Sequence, residues 1–171
     1  MMAEPLTLYK LIILYMLEKV DFPLTNGQLA DFILNQGYTT YFILQQAISE
    51  LVEAELISVE TIRNSSRYQI TDSGRSTLDY FKNKIPKAIQ GDITAYLRKN
   101  RITLRNEVAV TAEYFKNTGG EYTVHCVVKE KDFDLISLTI SVPDKKQADT
   151  MCSRWEKKCQ KLYQTIMEEL S

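Results

Sequence analysis

The chain carries one histidine, His125, and three cysteines, Cys126, Cys152 and Cys159, with no C-x-x-C pair among them. A zinc centre draws four ligands from such residues, so neither a metal site nor a metal cofactor is expected. An odd cysteine count also builds no disulfide framework and fits a reducing, cytoplasmic compartment. Glycine is scarce, six in 171 residues. There is no glycine-rich phosphate loop, no G-x-S-x-G elbow and no carboxylate cluster with ligand spacing. His125 and Cys126 are neighbours on an alternating segment, which sends their side chains to opposite faces. Catalysis and organic cofactors are therefore not expected.

Long hydrophobic runs are missing too. The most apolar stretch, LTLYKLIILYML (residues 6–17), is interrupted by Lys10 and is too short to span a bilayer. It has neither a basic leader nor a small-residue cleavage site, and reads as a helix buried on most sides. Charge of one sign is absent overall, with 21 basic against 22 acidic side chains. No basic tail and no globally cationic surface is available to coat DNA non-specifically.

What is present begins with three helical segments. Leu6–Val20 follows Pro5, a residue suited to a first helical turn. Thr25 caps a second helix with Leu29, Phe32 and Ile33 at helical spacing, and Gly37 ends it. Thr39 or Thr40 caps a third, whose Leu44, Ala47, Ile48, Leu51 and Val52 form one apolar stripe. Two β-prone runs, Ile57–Ile62 and Arg67–Thr71, flank a polar turn over Asn64–Ser66 and read as a hairpin. Thr71 or Asp72 then caps another helix.

Arg67–Arg75, RYQITDSGR, resembles the exit of the wing strand in winged-helix repressors of the MarR and PadR type, through Tyr68, Ile70, Thr71 and Gly74. ISELVEAELI (48–57) is similar to the end of their recognition helix. The resemblance covers residues 6 to about 84 and implies a winged helix-turn-helix domain over 1–84. Winged helices also serve as protein-binding modules, so the fold alone does not fix the activity.

Residues 85–171 read as a second domain. Pro86 opens a helix to about Asn100, with a break or re-cap at Gly91–Asp92. Three alternating segments follow: TLRNEVAVTAEYF with Leu104, Val108, Val110, Ala112 and Tyr114 on one side, then EYTVHCVVKE, then DLISLTISV. Short connections make these a three-stranded antiparallel meander with one apolar face. Asp144 caps a long last helix with Ala148, Cys152, Trp155, Cys159, Leu162, Ile166 and Leu170 in one stripe. That stripe suits cover of the sheet or a seam with a second subunit, as long C-terminal helices make in MarR- and PadR-like dimers. The expected fold is α+β: an N-terminal winged helix-turn-helix, then an antiparallel meander packed against a long C-terminal helix. The whole chain, with GGEYTVHCVVKE and a helix carrying Trp155 and Tyr163, is similar to a family of small bacterial winged-helix proteins of unknown function.

The third helix poses the functional question. From Met1 to Ile62 there are two basic residues, Lys10 and Lys19, and eight acidic ones. Lys and Arg supply most sequence-independent affinity for DNA, so this excess repels a duplex unless the acids point away. Glu53 and Glu55 sit at the helix's C-terminal end, whereas this fold presents the N-terminal half to the groove. There, Gln45 or Gln46 suits adenine, and Thr40 or Ser49 suits base edge or phosphate. Tyr38, Thr39 and Tyr41 can reach phosphates, as can the amides near Asn26 and Gly27. Arg63, Ser65 and Arg67 of the hairpin suit phosphate or minor-groove contact. The same residues have blander roles: solvated glutamines, arginines paired with a hairpin acid, and Tyr41 and Phe42 in a core or interface.

The expectation is a homodimeric, sequence-specific regulator on double-stranded DNA. Protein–protein docking through the acidic, aromatic N-terminal surface is the alternative. A small-molecule effector has a candidate place on the sheet's other face, which carries Ala109, Thr111, Thr123, His125, Val127, Thr139 and Ser141.

Overall fold

A computed structural model of the chain describes residues 4–131 and 133–171. The architecture is α+β, with six α-helices and two small antiparallel sheets among the described residues. No helix there is long and apolar enough to cross a membrane. The chain divides into two compact units: residues up to Thr61 with Ser65–Arg105, and Ile62–Asn64 with Asn106–Ser171.

The first unit is built round α1 (Pro5–Glu18), in which every residue from Leu11 to Leu17 is buried. A helix apolar on all sides must be enclosed on all sides. α3, α4 and strand β3 pack on it. β1 (Leu24–Thr25) leads into α2 (Asn26–Asn35), whose Thr25 and Gln28 cap each other reciprocally. Gly37, at φ 72°, ends α2 in the left-handed conformation that glycine adopts without penalty. Thr40 caps α3 (Tyr41–Glu53), which buries Leu44, Ala47, Ile48 and Leu51 as its stripe predicts.

β2 (Ile57–Ile62) and β3 (Ser65–Ile70) follow, and the sheet order is β1-β3-β2, with Leu24 opposite Tyr68. The turn is Arg63–Asn64, not Asn64–Ser66. Both turn residues have positive φ, 47° and 65°. Two left-handed residues make the two-residue turn whose twist matches the strands, which frees Ser65 and Ser66 to extend β3.

RYQITDSGR has a structural explanation. Glu55, at φ 59°, reverses the chain after α3, and the Leu56 amide donates back to the Leu51 carbonyl. The Thr71 amide donates to the Leu56 carbonyl at 3.1 Å. The Thr71 hydroxyl donates to the Glu55 carbonyl at 2.7 Å and accepts from the Gly74 amide at 3.1 Å, which caps α4 (Asp72–Phe81). A Cβ on Gly74 would lie 2.1 Å from the Leu56 carbonyl oxygen. The motif thus fastens the end of α3 to the start of α4.

α5 (Lys87–Ala109) runs unbroken through Gly91 and well past Asn100. Its buried residues Ile93, Leu97, Leu104 and Val108 recur in fours and a seven. Leu104 and Val108 therefore satisfy helical spacing as well as alternation, and the helical pattern already running upstream prevails. The first strand of the second sheet starts only at Val110. The two units meet in sequence after Arg105, some way beyond the change of pattern at residue 85.

The second unit is a meander of β4 (Val110–Lys116), β5 (Tyr122–Glu130) and β6 (Phe133–Val142), in that order and antiparallel. Ala112 pairs with Cys126 and Cys126 with Leu138, so like faces meet across the sheet. Asp144 caps α6 (Lys145–Leu170), which buries Ala148, Cys152, Trp155 and Cys159 against that face. The Trp155 indole donates to the Val127 carbonyl at 3.2 Å, which satisfies the one polar group of a buried ring.

Candidate nucleic-acid interface

Leu44, Ala47, Ile48 and Leu51 commit one side of α3 to the core, so the opposite side faces solvent by helical geometry. Phe42, Gln46, Ser49 and Glu53 follow one another there at spacings of four, three and four, and all are exposed. Phe42 is 81% exposed, and its neighbours Tyr41 and Ile43 are exposed as well. Phe42 precedes Leu44 by two residues, about 200° round the helix. That offset was the signal that it stands outside the core.

The other candidates are placed less freely. The Gln45 amide donates to the Asn26 side chain at 2.9 Å and ties α3 to the start of α2. Thr40 accepts from the Ile43 amide at 3.4 Å and caps α3, while Thr39 is half-buried. The Tyr38 hydroxyl donates to Asp92 at 3.0 Å. Burial, then that bond and the charge of Asp92, raise its pKa to about 12. The α2 amide at Gln28 is already taken by Thr25. Ser65 and Arg67 are half-buried in β3, with Arg67 opposite Thr25 in the ladder. Arg63 is exposed and pairs with Asp149 at 2.8 Å; both belong to the second unit. The blander alternative for Arg63, an ion pair with Glu60 or another acid, is met by Asp149 of α6.

Two ion pairs that sequence spacing does not reveal change the electrostatics. Lys10 of α1 meets Glu50 at 3.3 Å, and Arg101 of α5 meets Asp21 at 2.7 Å. Such partly exposed pairs add little stability, but each cancels one negative charge locally. Glu50 is thereby engaged by α1. Of the three glutamates in the quoted segment of α3 and its exit, Glu53 and Glu55 remain, both at the C-terminal end.

On the second sheet's other face, the polar side chains bond among themselves. His125 Nε2 lies 3.0 Å from the Ser137 hydroxyl, and the Ser141 hydroxyl donates to Glu121 at 3.0 Å. The Asn117 amide reaches Thr123 at 3.3 Å. Ala109 ends α5 rather than standing on this face. Among the described residues, no group of three or more His, Cys, Asp or Glu is arranged to hold a metal ion.

Compared with known families, residues 9–170 match the model of one described as a domain of unknown function (DUF4364), and the chain belongs to that family. No curated protein matches the chain, and no solved structure does.

Proposed function

We propose that this member of the DUF4364 family is a homodimeric, DNA-binding regulator whose first unit is a winged helix. The order of α1–α3 and the β2–β3 hairpin, together with the pairing of β1 on β3, supports that reading of the fold. The observation that carries the function is the exposed face of α3 from Phe42 to Ser49. It presents Phe42, Gln46 and Ser49 with no acid among them, while Glu50 is engaged by Lys10. Gln46 can bond both edge atoms of an adenine, Ser49 can donate or accept, and Phe42 can pack on a thymine methyl. A groove reader needs such a set at this end of the helix.

Few cations accompany it, so affinity comes more from groove contacts than from phosphate neutralisation. About two or three phosphate contacts give a log–log salt slope of about −2 to −3. Fluorescence anisotropy with sheared duplex DNA, titrated with salt, tests this. The Phe42→Ala/Gln46→Ala variant, altered only at exposed positions, is expected to lose binding while keeping its melting temperature. A variant that binds as the parent does excludes α3 as the reader.

One observation favours a second reading. Tyr41, Phe42 and Ile43 make a contiguous exposed apolar turn, and such patches are a mark of protein docking sites. Under that reading duplex binding is absent even at low salt.

A further inference from the structure

The side chains of α3 suit some base pairs and not others. From Val20 to Ile62 the chain has no lysine or arginine. Guanine shows the major groove two acceptors, O6 and N7, and its usual partner is a bidentate arginine or lysine. α3 has neither to offer. Its exposed face holds instead an aromatic ring, a primary amide and a hydroxyl, at Phe42, Gln46 and Ser49. Glu53 follows at the C-terminal end, away from the half that a winged helix presents. Of the two glutamines, Gln45 is engaged, its amide donating to Asn26 at 2.9 Å, whereas Gln46 is exposed.

Two of these groups have a chemical counterpart on an A·T pair. The Gln46 amide carries a donor and an acceptor, the complement of adenine N7 and N6. The exposed Phe42 ring has no polar atom, and thymine carries the one methyl group that the bases place in the major groove. Burying such a ring against that methyl removes apolar surface from water, a gain that uracil and cytosine do not give. Ser49 donates or accepts, and so adds no preference. Position matters as well. Phe42 and Gln46 are four residues apart on one face, about 6 Å along the helix axis. Nucleotides along a strand rise about 3.4 Å, so the ring and the amide meet bases no more than about two pairs apart.

We infer that α3 selects A·T pairs over G·C pairs: Phe42 reads a thymine methyl, and Gln46 reads an adenine edge within about two base pairs of it. This rests on the DNA-binding reading above and adds to it the chemical identity of the site.

Anisotropy of the full chain at low salt with four labelled duplexes of equal length tests it. One alternates A and T, the second has uracil for thymine, the third has 7-deazaadenine for adenine, and the fourth alternates G and C. All carry the same phosphates, so contacts that only position the protein cancel in the ratios of affinity. The wild type is expected to bind the A/T duplex at least about tenfold more tightly than the G/C duplex. The uracil duplex, which lacks only the methyl, should bind at least about threefold more weakly than the A/T duplex. The 7-deazaadenine duplex, which lacks one acceptor, should bind about fivefold more weakly. Phe42→Ala is expected to bind the thymine and uracil duplexes alike while still preferring adenine to 7-deazaadenine. Gln46→Arg supplies the partner of guanine and should lower the A/T to G/C ratio at least about tenfold. A preference for groove shape, held by other residues, would leave both ratios unchanged in the variants. Circular dichroism checks that each variant is folded.

A wild type that binds the A/T and G/C duplexes alike, or thymine and uracil alike, would overturn the inference. So would a thymine preference that persists in Phe42→Ala, or a ratio that Gln46→Arg leaves unmoved. Sheared DNA bound without any base preference removes this inference alone. Absence of binding to every duplex, sheared DNA included, removes the DNA-binding reading and this inference with it.

Discussion

At Gly74 a single hydrogen atom separates a workable backbone from a clash. The nearest obstruction to a Cβ is a main-chain carbonyl held by the Thr71 amide, so it has little room to yield. Gly74→Ala is expected to destabilise the first unit by about 3 kcal/mol in urea unfolding. Glu55 makes the converse case. It holds a left-handed φ of 59° with a Cβ, a strain of about 1 kcal/mol that glycine relieves, offset by the greater freedom of an unfolded glycine. Glu55→Gly is expected to gain about 0.5 kcal/mol, and Glu55→Ala, equally strained, to gain nothing. A thiol gives the pH dependence. Burial, and then Cys152, push Cys126 from 9.0 up to about 11. Its folded value lies above its unfolded one, so its contribution to stability is complete below pH 9 and lost as pH rises through 11. Denaturation midpoints of wild type and Cys126→Val across that window should diverge, the wild type falling more steeply.

At the scale of elements, α5 offers the cleanest measurement. Gly91 is exposed within an unbroken helix, and a Cβ there meets nothing within 4 Å. Gly91→Ala should therefore raise stability by about 0.8 kcal/mol; a loss would mean that α5 is interrupted there. The sequence announces most elements because caps and stripes coincide: Thr25, Gly37, Thr40 and Asp144 each mark a helix end that the structure keeps. It misleads where one residue set fits two periods, as Leu104 and Val108 do, and where serines resemble a turn that Arg63 and Asn64 form instead. On α3 the stripe opposite made Gln46, Ser49 and Glu53 legible as exposed, whereas it did not mark Phe42, and Gln45 is half-buried against Asn26. The cross-chain partners were not legible: Gln45 with Asn26, Lys10 with Glu50 and Arg63 with Asp149 join positions 19, 40 and 86 residues apart. Spacing along one helix carries no trace of such contacts.

On the scale of the whole molecule, the charge distribution is poor in cations where a duplex would lie. Net charge is −1, and the exposed end of α3 is aromatic and amidic rather than basic. Such a surface favours groove contacts over phosphate contacts, and its affinity should respond weakly to salt. The measurement that tests this most directly is anisotropy of labelled, sheared duplex DNA against the full chain over a range of salt. Binding with a log–log slope of about −2 to −3, abolished by Phe42→Ala/Gln46→Ala, is the expected result. No binding at the lowest salt, or binding that the double variant retains, would contradict it.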